Sequence, residues 1–83
     1  MNISVDISMY PLLEGFEKPI LAFIAALEKE SGIDVVRNDL STQVYGDYEI
    51  IMNLIKREIY EVFKEIPHSV FVIKMVGNDR LSR

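Results

Sequence analysis

The sequence predicts an α+β domain whose elements follow the order βαββαβ. Three patterns carry that expectation: strict alternation of apolar and polar residues over 3–10, two apolar stripes of helical period, and a terminal run over 69–76 that is apolar on both alternating rows. In the first strand Ile3, Val5, Ile7 and Met9 fall on one side, and Ser4, Asp6, Ser8 and Tyr10 on the other, with Pro11 closing the run. One side is therefore core. The other carries four hydrogen-bonding groups.

The first helix is expected over 16–31, where Phe16, Ile20, Phe23, Ile24 and Leu27 recur at helical spacing and Gly32 supplies a left-handed stop. Pro19 is compatible only with the first turn, whose N–H groups have no intrahelical partner to lose. Residues 33–37 and 40–45 are short β-prone runs joined by the polar Asn38 and Asp39, so they read as a hairpin. Gly46 and Asp47 end it, with Asp47 placed to cap a second helix over 48–66. Ile51, Leu54, Ile55, Ile59, Val62, Phe63 and Ile66 form its apolar stripe, and Pro67 stops it. In the final strand Val70, Val72 and Val76 make one row and Phe71, Ile73 and Met75 the other, with Lys74 the single charge, so both sides are expected to be dry.

This order is that of the ferredoxin-like split βαβ sandwich: a four-stranded antiparallel sheet with both helices on one face and, on this expectation, the two terminal strands at its centre. Two helices cannot cover both faces. The second apolar row of the last strand then calls for another copy of the chain, giving a homodimer or a tetramer of two dimers. Residues 1–77 form the single domain and 78–83 a polar C-terminal tail.

Eighty-three residues bury only a small core, which favours self-association. The chain has no cysteine, which removes disulfides, thiolate metal sites and thiol catalysis together. A net charge of −4 argues against a nucleic-acid partner and favours neutral or cationic ligands. Neither a signal-peptide pattern nor an apolar stretch of membrane-spanning length is present, so a cytoplasmic protein without a membrane partner is expected. Catalysis is thinly supported: His68 stands alone at a helix-to-strand junction and no serine has a recognisable base. The expectation is a protein that is not an enzyme, with no catalytic residue, no metal ligand and no cofactor. Met9, Met52 and Met75 read as core filler, and the charges on the helices as solvated faces.

At residues 7–12 (ISMYPL) and 40–47 (LSTQVYGD), followed by the striped helix, the chain resembles a single repeat of the YkoF-type family. The resemblance extends from about residue 3 to residue 76. It implies ferredoxin-like domains that bind thiamine or its hydroxymethylpyrimidine part, and, since tandem relatives pair two repeats in one chain, an equivalent pair made from two subunits.

A physical case stands beside it. An aminopyrimidine presents an exocyclic amine and ring-nitrogen acceptors, and hydroxyls can answer either, so Ser8, Ser41 and Thr42 suit it. Asp6 or Asp39 can accept from the amine or lie near a positive thiazolium, while Tyr10 and Tyr45 offer faces for stacking and cation–π contact. These seven are the candidate ligand-binding residues. The same serines also suit solvated or cross-strand positions, and Tyr10 a subunit contact. The alternative function is an ACT-like homo-oligomeric regulatory or structural module binding an amino-acid-sized ligand or none; a small hydrolase using Asp6 with Asp39 ranks last.

Overall fold

In a computed structural model that describes residues 1–12, 14, 15 and 17–81, six elements follow in the expected order: β1 (Asn2–Tyr10), α1 (Glu17–Glu28), β2 (Ile33–Arg37), β3 (Thr42–Asp47), α2 (Tyr48–Glu65) and β4 (Val70–Val76). The strands form one antiparallel sheet in the order β2-β3-β1-β4, the ferredoxin-like layout. One expectation is corrected. The central strands are β1 and β3, and the terminal strand β4 is an edge that pairs with β1 alone among the described residues. Apolarity on both rows marks a strand covered on both faces, but it does not specify centre or edge; here the connections decide, because each βαβ half leaves a gap that a strand of the other half fills.

The β1 row Ile3, Val5, Ile7 and Met9 packs with Val44 of β3 against Phe23 and Leu27 of α1 and Ile51, Leu54 and Ile55 of α2. Burying each such side chain contributes about 1.5–3 kcal/mol. β4 joins this core mainly through Phe71, whose ring lies 5.2 Å from that of Phe23 and 5.6 Å, edge-on, from that of Phe63. Beyond Phe71 the helices do not cover the strand. Ile73 and Met75 are exposed on the helix side, and on the open side Val70, Val72 and Val76 are 45%, 49% and 44% exposed, so within one chain neither row of β4 is dry.

Local chemistry sets the element ends. Asp47 caps α2, its Oδ2 accepting from the N–H groups of Glu49 (3.1 Å) and Ile50 (3.3 Å). At the other end the Ile66 N–H donates to the Val62 carbonyl at 2.7 Å, just before Pro67. Pro19 lies in the first turn of α1, as its missing donor requires. That helix stops at Glu28, three residues before its expected end: Leu27 is its last buried residue, the turn tightens through Glu30 N–H to the Leu27 carbonyl (3.2 Å), and Gly32, at φ +83°, belongs to the turn entering β2. Phe16, expected to begin the helix stripe, lies outside the described residues, as do Leu13, Ser82 and Arg83. The chain beyond β4 crosses the open face of the sheet, where the Ser4 hydroxyl donates to the Asn78 carbonyl and accepts from the Arg80 N–H, both at 2.7 Å. Ser4 is consequently 8% exposed, the only buried member of the polar row of β1. No helix among the described residues is long and apolar enough to cross a membrane.

Gly46 is paired on both sides, with Ile3 and Ile33, at φ +154°. A Cβ there would stand 2.9 Å from Ile33 Cγ2 and 3.2 Å from the Gly32 carbonyl oxygen. Gly46→Ala is therefore expected to cost about 1–3 kcal/mol in chemical denaturation, through strain and displacement of β2 together.

Candidate functional site

The ladder between β1 and β3 ends at Ile7–Thr42, whereas the ladder between β1 and β4 continues to Tyr10–Val70. Over Ser8, Met9 and Tyr10 the central strand thus has a neighbour on one side only. On the other side, where β3 would continue, the chain turns away through residues 38–41 and leaves a cavity of about 420 Å³ between the end of β1, that turn and the middle of α1. Its volume falls in the range of sites for small molecules.

The turn is held by Asn38. Its Oδ1 accepts from the N–H groups of Leu40 (2.8 Å) and Ser41 (3.0 Å), and its own N–H donates to the Ser41 carbonyl (3.1 Å). This Asx arrangement fixes the direction in which residues 39–41 face, and explains why β3 begins at Thr42 and not at residue 40. Opposite, Pro11 is buried and Leu12 takes a left-handed conformation, φ 57°, that costs a branched residue about 1–2 kcal/mol. Leu12 and Leu40, 68% and 87% exposed, stand on the two lips. The floor is apolar, from Ile7, Met9, Ile20, Phe23 and Ile24.

Five of the seven candidate residues, Ser8, Tyr10, Asp39, Ser41 and Thr42, line this cavity. Asp39 is the only charged residue among the described residues of its wall. The other two stand elsewhere. Tyr45 is opposite Ser4 and Asp34, toward the far end of the sheet, because antiparallel pairing carries the end of β3 away from the end of β1. Asp6 lies on the open face outside the cavity wall, one strand position short of Ile7, where the ladder with β3 stops. It is nevertheless connected: Gln43 Nε2 donates to Asp6 Oδ1 at 2.9 Å and to Ser41 Oγ at 2.7 Å. From β4, Lys74 Nζ approaches Asp6 Oδ2 at 3.7 Å, across the ladder. The Ser41 hydroxyl, the Gln43 amide and the Lys74 charge hold the Asp6 carboxyl below its ordinary range, against the opposite effect of its partial burial.

Sequence reasoning put the turn at Asn38 and Asp39 but missed the hydrogen bonds by which the Asn38 side chain shapes it, Gln43 as the link and the leucines of the lips. Gln43 had a visible signal: it alternates with Thr42 and Val44, so it had to share a face with Tyr45 and to meet the polar row of β1.

No family model matches the chain, and no curated protein matches it significantly by sequence. Solved structures do. Protein SP2199 from Streptococcus pneumoniae superposes with a TM-score of 0.86 at 21% identity, over 99% of this chain and 92% of that one. A candidate thiamine biosynthesis/salvage protein from Thermotoga maritima gives 0.82 at 19% identity, over 94% and 85%, and a domain of unknown function, DUF77, from Bacillus cereus gives 0.77 at 13%, over 96% and 79%. The likeness is one of fold.

Because the folded-state pKa of Asp6 lies below its ordinary value of 3.8, the stability it contributes is fully present above that value and is lost as pH falls through the lower, folded pKa. Tm measured from pH 6 down to pH 2 is expected to fall more steeply in the wild type than in Asp6→Asn, the two curves converging at the acid end.

Proposed function

We propose that this chain binds thiamine, its hydroxymethylpyrimidine part or a similar small heteroaromatic, without transforming it, at the cavity beside the end of β1. The observation that carries the proposal is the set of residues that line that cavity: an apolar floor, with Ser8, Ser41, Thr42 and Tyr10 beside it and Asp39 as the charged residue among those described. An apolar floor suits a flat ring, hydroxyls answer both donors and acceptors, and a lone carboxylate favours an amine or a cation over a phosphate. The resemblance of residues 7–12 and 40–47 to the YkoF-type family supports the same ligand class, and so does the fold shared with the thiamine biosynthesis/salvage candidate of Thermotoga maritima. In this reading Ser8, Ser41 and Thr42 act as hydrogen-bonding groups and Asp39 as a fixed charge, none as a catalyst, and the protein is a cytoplasmic carrier.

Differential scanning with thiamine, hydroxymethylpyrimidine, thiamine phosphates and amino acids tests this. Ligand at 100 times its Kd stabilises by about 2.7 kcal/mol, a rise in Tm readily measured for a domain of this size. The rise is expected for thiamine or hydroxymethylpyrimidine, with the compound recovered unchanged. A preference for the phosphates would contradict the role of Asp39, and a response to amino acids alone would favour the ACT-like alternative.

Self-association belongs to the same proposal. Val70, Val72 and Val76 form an exposed row on the open face, apolar but for Lys74 between the last two, next to Tyr10 across the β1–β4 ladder, and a second copy offers the same row by two-fold symmetry. Sedimentation velocity is expected to show a dimer or tetramer in the wild type and a monomer in Val72→Lys. The substitution lies on an exposed position, so the monomer should remain folded.

A further inference from the structure

β1 alternates an inner apolar row with an outer row on the open side of the sheet, and residues of both rows line the cavity: Ile7 and Met9 of the inner, Ser8 and Tyr10 of the outer. A space bounded by both rows stands at the level of the sheet, in the place of the missing strand, and has two sides. α1 closes the inner side through Ile20, Phe23 and Ile24. The outer side has no such cover among the described residues. The segment that crosses the open face, after β4, is tied to Ser4 at the other end of β1, about 13 Å from Ser8 at the rise of an extended strand. Tyr10 is accordingly 51% exposed.

We propose that a second copy of the chain, seated on the open face, closes this outer side, so that the site is incomplete in a lone subunit and ligand and partner strengthen each other's binding. This rests on the ligand-binding reading above and deepens it. Ser8 is the cross-strand neighbour of Val72, and Tyr10 of Val70, so the two outer residues beside the cavity adjoin the row on which the partner sits. A stable interface takes about 800 Å² from each partner, more than three half-exposed valines offer. β4 is the edge of the sheet, so contact on this face can widen only onto β1. The segment after β4 already holds the Ser4 end, which leaves the stretch from Asp6 to Tyr10. A partner lying there covers Ser8, Tyr10 and the opening beside them. A ring bound in the cavity then meets the partner's apolar row instead of water, and burial of that shared surface is the coupling.

Sedimentation equilibrium of the wild type over a dilution series, with and without saturating probe, tests this together with titration of the same probe into Val72→Lys. The probe is thiamine or hydroxymethylpyrimidine, whichever the wild type takes up more tightly. Val72→Lys is expected to bind it about tenfold more weakly than the wild-type pair, within the usual range of coupling between sites. Reciprocity then requires the fully occupied pair, with a site in each subunit, to associate about a hundredfold more tightly than the empty one. A loss of affinity caused by the substitution itself would leave wild-type association unaltered by the probe. Should Val72→Lys fail to fold, the wild-type series decides alone. Association that the probe leaves unchanged, as edge-to-edge pairing of β4 would give, overturns the proposal. So does association that the probe weakens, or a wild type that stays monomeric with the probe bound. In each of these cases the cavity still binds and the reading above stands. A wild type that takes up neither compound removes that reading and the coupling with it.

Discussion

β1 is paired with β3 over its first part, from Asn2 to Ile7, and with β4 over its last, from Ser4 to Tyr10, and the site depends on that offset. β4 follows β1 to Tyr10, whereas β3 parts from it after Ile7. Had the ladder continued three residues further, β3 would have covered Ser8 to Tyr10 and the cavity would have been filled by strand. The break is enforced by Asn38, whose side chain gives the backbone of the turn the hydrogen bonds that a continued ladder would otherwise supply.

The same strand separates two environments. Its inner row is packed beneath the helices and supplies more of the small core than any other single element, while its outer row is polar and used in three different ways. At one end the Ser4 hydroxyl ties the chain after β4 to the sheet. In the middle Asp6 is matched by Gln43 and Lys74 from the flanking strands. At the far end Ser8 and Tyr10 reach the cavity. Polar groups on a sheet face are stabilising only when they find partners or water, and here the partner changes along the strand as the neighbouring strands start and stop.

Much of this was legible in the residues. Alternation at 3–10, the apolar stripe from Ile51 to Ile59 with Asp47 before it, and Pro67 after it point to their elements without reference to anything distant, because side-chain period and capping are local properties. The end of α1 was less legible: Gly32 is a good stop signal, but the helix is sustained by tertiary burial and ends soon after Leu27, its last buried residue. The place of β4 was least legible. An apolar row looks the same whether a helix, a strand or a second molecule is to cover it. Of the candidate site residues, those next to the strand end or the turn came together, and Tyr45 did not, since its distance from Tyr10 depends on pairing register and not on residue type.

By itself, then, the sequence determined the secondary elements, their order, the α+β class and the division of β1 into an apolar and a polar row, all of which follow from periods of a few residues. Only the tertiary structure decided that β1 and β3 lie inside and β4 at the edge, that Ser8 and Ser41 share a cavity from which Tyr45 is excluded, and that Gln43 connects Asp6 to Ser41. Those facts turn on which strands pair and where each ladder stops. The ladders of β1 join residues 35 to 72 positions apart, and no local pattern encodes the point at which one strand leaves another.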